Sequence, residues 1–251
     1  MNDLFNIINH GGLELLVYRP WWESGVVHGM TTGALSFRGD STASDCAFLC
    51  GALGVRDVVV PRQCHGKGVL DLRSPALRRD LVREQPGALC RFQEGDALLA
   101  PLTQEPEDAK LALGVMSADC VPILALSENG WALIHAGWRG LSNGVISAAL
   151  GALGGVQEAA VFASAGGESY EVDRGVIDAI GPSAVFKASP RGQGKFLLDT
   201  GATAVRQLVA INGSISVASA GICTIQDGRF HSFRRDGERA GRGVTFVIPA
   251  G

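Results

Sequence analysis

Short apolar runs separated by polar, glycine-containing breaks dominate the middle of the chain. Residues 57–60, 68–72, 96–100, 111–116, 121–126 and 131–135 read as strands. Their near-continuous apolar character, rather than strict alternation, predicts a sheet covered on both faces. Apolar residues spaced by three and four mark helices over 46–53, 142–153, 173–180 and 199–211, the second with Ser142 or Asn143 as its cap. Further strands are expected at 214–218, 230–233 and 244–248. Two polar stretches, residues 73–83 and 103–110, read as surface excursions. Strands and helices mix without a strict βαβ alternation, so the pattern favours an α+β fold over a doubly wound sheet. The 34 glycines follow no short period, and no low-complexity linker interrupts the chain, so one domain over residues 1–251 is expected.

Composition narrows the partners. Hydrophobic residues make up 46% and charged residues 19% of 251 residues, with a formal net charge of −3. Nothing basic points to nucleic acid, and no apolar run approaches the roughly 20 residues needed to span a bilayer. The first residues, Met1-Asn2-Asp3-Leu4-Phe5, lack the features of a secretory signal, and Glu14 interrupts the apolar stretch that follows, so a cytoplasmic protein is expected. Six cysteines are too few for a disulfide scaffold, and a reducing compartment would keep them as thiols. Cys46 and Cys50, one helical turn apart, read as core, as do Cys90 and Cys223.

Three segments carry candidate chemistry: Pro61-Arg62-Gln63-Cys64-His65-Gly66, Ser117-Ala118-Asp119-Cys120-Val121-Pro122 and Ile134-His135-Ala136-Gly137-Trp138-Arg139-Gly140. Each follows an apolar run and places polar groups where that run ends, a rigid support for reactive side chains. Taken singly, Cys120 reads as a core thiol, His135 as a hydrogen-bonded core histidine and His65 as a turn residue. Taken together, two imidazoles and one thiolate suit a borderline-soft ion such as zinc, with a coordination position left open. Cys64, adjacent to His65, would be aimed away from that ion by strand alternation.

These segments, in this order, resemble the YfiH family, the laccase-domain proteins once called multicopper polyphenol oxidases. The resemblance continues in Glu94-Gly95-Asp96-Ala97-Leu98, Ser169-Tyr170-Glu171-Val172, Cys223-Thr224, and Phe230 through Gly237 with Gly241-Arg242. It implies a layered α/β/β/α-type sandwich with mixed sheets, a fold similar to that of deamidating toxins. It also implies a zinc site on His65, Cys120 and His135, with zinc preferred to copper. The activity implied is purine nucleoside phosphorolysis, acting on adenosine, inosine and methylthioadenosine, with adenosine deaminase as a side activity. The partners implied are a purine nucleoside and phosphate, in a monomer or weak homo-oligomer. A laccase needs several copper ions and many histidines, and this chain has five histidines.

The family reaction gives the remaining positions roles. Arg139, on a glycine-rich turn, is a candidate phosphate holder. Asp119 is a candidate general acid or base, or a residue orienting a ligand, the latter requiring a local turn. Gln63 shares the face of His65 and is a candidate contact to ribose or base. Arg234 or Arg235 is a candidate pocket residue in a loop that otherwise reads as internally paired. Departures from the family pattern fall on the substrate side: Gly33 stands where arginine is expected, two asparagines are missing after it, and Ala163-Ser164-Ala165-Gly166-Gly167-Glu168-Ser169 replaces a Gly-Pro-Ala-Ile segment. Two other readings therefore stand beside the phosphorylase. One is a cysteine hydrolase or amidase with Cys120 as nucleophile and His135 as base. The other is a catalytically altered homologue that binds metal or nucleoside.

Overall fold

The computed structural model describes residues 3–79, 81, 86–105, 110–192 and 194–251. Two mixed sheets form its centre. The seven-stranded sheet runs, edge to edge, through Phe5–His10, Leu13–Tyr18, His28–Thr31, Gly243–Val247, Leu111–Ser117, Asp57–Arg62 and Leu89–Glu94. The six-stranded sheet runs through Ser216–Ser219, Val156–Val161, Val121–Ser127, Gly130–Ala136, Ala97–Ala100 and Val69–Asp71. A small third sheet joins Glu171–Asp173, Lys195–Leu198 and Phe186–Ala188.

Strand alternation sorts the apolar residues into layers. In Gly130–Ala136, Trp131 and Leu133 face the cluster between the sheets, while Ala132, Ile134 and Ala136 face the helices Val145–Leu153 and Thr200–Ile211. In Asp57–Arg62, Val59 faces the inter-sheet cluster, whereas Val58 and Val60 pack beneath the helix Thr42–Leu53. Helix, sheet, sheet and helix thus stack in four layers, each sheet buried on both faces as the unbroken apolar runs require.

Three connections decide where chemistry can occur. Asp57–Arg62, Leu89–Glu94 and Leu111–Ser117 are parallel neighbours in the seven-stranded sheet. Each hands the chain to the other sheet, to Val69–Asp71, Ala97–Ala100 and Val121–Ser127 respectively. Parallel strands end on the same side, so the three crossovers lie together. Gly130–Ala136 runs antiparallel to two of the receiving strands, pairing His135 with Pro122 and Ile134 with Ala97, so its C-terminal end arrives at the same edge.

Several local expectations are corrected. Residues 230–233 form no strand: Ser232 accepts a hydrogen bond from the Arg235 N–H and caps the short helix Phe233–Asp236. The helix expected over 142–153 is two helices, Trp138–Asn143 and Val145–Leu153, because Gly144 between them adopts a left-handed conformation at φ 80°. Glycines 137 and 144 occupy the cap positions expected for Ser142 or Asn143. The helix expected over 46–53 starts earlier than its periodicity suggests, at Thr42. Nor are the two polar excursions purely superficial. Arg78 is buried, donating to the carbonyls of Leu72 and Arg73, and Gln104 is buried, bonded to Leu111 and Pro249. Residues 80, 82–85 and 106–109 of those stretches lie outside the described residues. Cys46, Cys50 and Cys90 are buried as expected, while Cys223 is partly exposed and accepts from the Gly166 N–H. No helix among the described residues is long and apolar enough to cross a membrane.

One buried titratable group in the scaffold has a measurable consequence. His28 is fully buried, and its Nε2 accepts the Tyr18 N–H, so its hydrogen lies on Nδ1 and is donated to the Val26 carbonyl. Burial pulls its pKa down to about 4, against the bond to the Val26 carbonyl, which pushes it up. The neutral form is the folded form. Stability is therefore complete above an unfolded-state pKa of ~6.5 and declines as the pH falls from there towards 4, by roughly 3 kcal/mol from this group. Urea midpoints measured across that window should slope steeply in the wild type and less steeply in His28→Gln. An unchanged slope would assign the acid sensitivity elsewhere.

Candidate active site

The crossovers bring together the residues that the sequence separates. His65 lies in the first, Asp96 at the end of the second and Cys120 in the third, and His135 comes from the end of Gly130–Ala136. One ligand atom each from His65, Cys120 and His135 lie within 4.8 Å of one another. The two imidazoles meet nearly edge to face, their centroids 5.0 Å apart. His135 is buried, Cys120 partly buried and His65 exposed, so the group is open on one side.

Backbone conformation is specialised here. His65 and Asp119, at φ 61° and 93°, are the non-glycine residues with positive φ among the described residues. Such conformations are uncommon for residues with a Cβ and persist where surrounding contacts hold them. Asp96 supplies those contacts for His65. Its Oδ1 accepts the His65 N–H at 3.0 Å and Nδ1–H of His135 at 2.8 Å, and its Oδ2 accepts the N–H groups of Cys64 at 3.3 Å and Gly66 at 2.6 Å. A carboxylate that can only accept places the His135 hydrogen on Nδ1, leaving Nε2 for a metal. Asp96 is fully buried, yet bonds from His135 and Gly66 outweigh that burial and hold its carboxyl well below the usual range. The Cys64 thiol also meets Oδ2, at 3.3 Å, and is raised chiefly by that contact.

Burial pushes the Cys120 thiol up, but the charge of His135 and hydrogen bonds from His135 and His65 bring it down to about 6. Burial pushes His135 down, and Cys120 and Asp96 raise it to about 9. A thiolate and an imidazolium therefore stabilise each other when no metal replaces the shared proton. Gly137 fits this packing closely. A Cβ there would lie 2.8 Å from Cys120 Sγ and 3.0 Å from His65 Cδ2.

The donor set suits a tetrahedral ion. Two imidazole nitrogens and one thiolate, with ligand bonds of about 2.0–2.3 Å, fit a group whose atoms lie this close, and three protein ligands leave a fourth position free. The other three histidines are used elsewhere: His10 packs on Trp22, His28 bonds to the backbone, and His231 Nε2 bonds to the Leu35 carbonyl.

Above the triad opens a cleft of about 840 Å³. Six arginines line it, Arg38, Arg62, Arg91, Arg139, Arg234 and Arg242, against the single carboxylate of Asp119 among the lining residues. Three aromatic rings carry arginines on their faces: Arg139 over Trp138 at 4.5 Å, Arg234 over Tyr170 at 4.6 Å and Arg242 over Phe233 at 5.7 Å. Arg139 is exposed and has no carboxylate partner among the described residues. Arg234 also donates to the Glu171 carbonyl. Arg235 does not line the cleft; its guanidinium is spent on Asp236 and the carbonyls of Thr224 and Phe230.

Two further residues singled out from the sequence line the cleft with their polar atoms engaged. The Gln63 amide donates to the Met116 carbonyl and accepts the Met116 N–H, both at 2.7 Å, clamping two strand ends together. Asp119 Oδ1 accepts from Thr224 Oγ1 at 2.6 Å, and Oδ2 accepts the Arg234 N–H at 2.7 Å. The local turn that an orienting role required is present, and Asp119 uses it to hold the arginine-bearing loop. Gly33 lies outside the cleft, its N–H bonded to the Arg229 carbonyl. Residues 163–169 brace the rear of the site, with the Ala165 N–H donating to the Asp119 carbonyl. Asp96 received no role from the sequence, although a carboxylate opening a buried apolar strand must find partners, which was the available signal.

A group of three residues able to hold a metal at the junction of two sheets, beneath an arginine-rich cleft, marks a protein of the layered YfiH type. Solved structures share the fold: YfiH of Bacillus licheniformis, at TM-score 0.75 and 20% identity over 98% of this chain and 99% of that one, and YlmD of Geobacillus stearothermophilus, at 0.75 and 23% over the whole of both. The model of the family described as multi-copper polyphenol oxidoreductase laccase matches residues 39–250, and the chain belongs to that family. Curated relatives include a purine nucleoside phosphorylase of Aquifex aeolicus, 36% identical over 160 residues, covering 62% of this chain and 71% of the relative. Another, of Xylella fastidiosa strain Temecula1, is 32% identical over 198 residues, covering 74% and 70%. Adenosine deaminase RL5, from an unknown prokaryotic organism, is 30% identical over 208 residues, covering 76% and 74%.

Proposed function

We propose that this chain is a zinc-dependent purine nucleoside phosphorylase with adenosine deaminase as a side activity. The observation that carries the reading is the pairing of the His65–Cys120–His135 group with a cationic, aromatic-walled cleft directly above it. Relatives named for both activities support it. Zinc held by His65, Cys120 and His135 would supply a Lewis acid with one open position.

In phosphorolysis a phosphate oxygen forms a bond to the anomeric carbon as the glycosidic bond breaks, and the purine departs with that electron pair and takes up a proton. Arg139, with no carboxylate partner among the described residues and stacked on Trp138, holds the phosphate. Trp138, Tyr170 and Phe233 offer faces against which a purine packs. Asp119, with both oxygens engaged, acts by positioning the backbone of Arg234, and Gln63 by fixing the strand ends that carry His65 and Ser117.

Metal-replete protein incubated with adenosine or inosine plus phosphate should release base and ribose 1-phosphate. Release of neither would sink the reading. Arg139→Ala should raise the KM for phosphate about ten-fold or more while nucleoside affinity changes little. An unchanged phosphate KM and rate would remove Arg139 from that role.

The proximity of Cys120 and His135 favours a second reading, a cysteine hydrolase or amidase. Metal content decides between them, since a ligated thiolate is a poor nucleophile.

A further inference from the structure

The arginines at the far end of the cleft form a cluster of their own, built from three separate segments. Arg38 and Arg242 both donate through Nη1 to one acceptor, the Ala240 carbonyl, at 3.4 and 3.2 Å. Arg91 donates to the Phe37 carbonyl at 3.0 Å, and the Phe37 N–H donates to the Arg242 carbonyl at 2.9 Å. One residue, Phe37, thus ties Arg91 to the Arg38–Arg242 pair. A second cavity, lined by Arg38, Gly39, Thr42, Leu89 and Arg91, adjoins the main cleft through these same arginines.

The charge of this cluster is not balanced from within. Arg38 pairs with Glu238 at 2.8 Å, a carboxylate that is 81% exposed. Neither Arg91 nor Arg242 has a carboxylate partner among the described residues, and each is bonded to carbonyl oxygens. Guanidinium groups do not shed their protons to relieve such crowding. Arg242 is partly buried, and burial followed by the charge of Arg38 works against its protonated form. An anion seated between the three would relieve the repulsion, and planar guanidinium forks match the oxygens of a phosphoryl group.

We propose that Arg38, Arg91 and Arg242 form a docking station for a phosphoryl group carried by the ligand itself, so that the cleft takes phosphorylated nucleosides in preference to free ones. This inference rests on the nucleoside reading above and adds a second anion position to that of Arg139. The cleft, at about 840 Å³, falls in the upper part of the roughly 300–1,000 Å³ range of small-molecule sites, room for more than a nucleoside alone.

Calorimetric titration of the metal-loaded full chain with adenosine and with adenosine 5′-monophosphate tests it without requiring turnover. The monophosphate should bind about ten-fold tighter or better, and that advantage should shrink with added salt, because screening weakens exposed charge pairs. In Arg91→Ala and Arg38→Ala, whose side chains are exposed enough to truncate without emptying the core, the ratio of the two affinities should fall towards one. Circular dichroism of each variant verifies that it is folded. Equal binding of the two ligands by the wild type would overturn the proposal. So would an advantage that survives both substitutions, which would place the phosphoryl group at Arg139. A third overturning result is an Arg38- and Arg91-dependent site that binds inorganic phosphate while showing no preference for the monophosphate. Absence of phosphorolysis, by contrast, removes the proposed activity and leaves the affinity ratio standing.

Discussion

Asp96→Asn should lose metal affinity by about 10–100-fold and destabilise the metal-free protein by roughly 3–5 kcal/mol. The substitution keeps the side chain's shape and removes half of its function. In the native protein the carboxylate accepts from three successive backbone N–H groups and from Nδ1–H of His135. An amide has one acceptor oxygen, so its NH₂ group must face donors, either the N–H groups of the 64–66 turn or the imidazole. If the turn loses, His65 is no longer held at φ 61°. If the imidazole loses, His135 is free to swing or change tautomer. Competition with a chromophoric chelator measures the first effect and urea denaturation of the metal-free protein the second. The native carboxyl is held well below its ordinary range, so its contribution is complete above about pH 4 and is lost only as the pH falls further. The wild type and Asp96→Asn should accordingly converge in stability only in strong acid. Wild-type metal affinity in the variant would mean that the ligands are oriented without Asp96.

Gly137→Ala should be nearly as damaging to the metal site while leaving the core intact. Its backbone, at φ −72° and ψ 172°, suits alanine, so the cost is one of space alone. The added methyl would sit 2.8 Å from Cys120 Sγ, inside van der Waals contact, and 3.0 Å from a carbon of His65. Two of the three proposed ligands must move to admit it. Geometry this specific tolerates little displacement, so metal affinity should drop by about ten-fold or more, with an unfolding midpoint close to that of the wild type once metal is removed from both. A variant that binds metal normally would mean that the 136–138 turn shifts instead of the ligands.

The two variants probe different legibility. Gly137 belongs to a segment that the sequence already marks, between His135 and Arg139, while its close approach to Cys120 and His65 is set by the fold. Asp96 was visible as a residue but not as a hub, because its histidine partner lies 39 positions away in another strand. The same limit explains Gln63 and Asp119. Gln63 reads from the sequence as a substrate contact and Asp119 as an acid, base or orienting residue, yet their polar atoms are engaged by Met116, Thr224 and Arg234, the last two more than 100 positions from Asp119. Local periodicity failed in its own way at residues 142–153, where one glycine in a left-handed conformation divides an otherwise helical pattern.

Local pattern legislates what neighbouring residues impose on one another. Unbroken apolar runs of five to seven residues dictate strands buried on both faces, and polar residues at their ends dictate where reactive groups emerge. Side-chain chemistry likewise nominated His65, Cys120 and His135. That these ends coincide is a matter of how the sheets are assembled. Three parallel strands cross from one sheet to the other at the same edge, and a fourth strand arrives there antiparallel. That coincidence depends on strand order and direction, which follow from packing two sheets face to face and are not written in any local pattern. Strand order likewise decides which arginines meet in the cleft, drawing Arg38, Arg91 and Arg242 from segments far apart in the chain into a concentration of charge that no single segment contains.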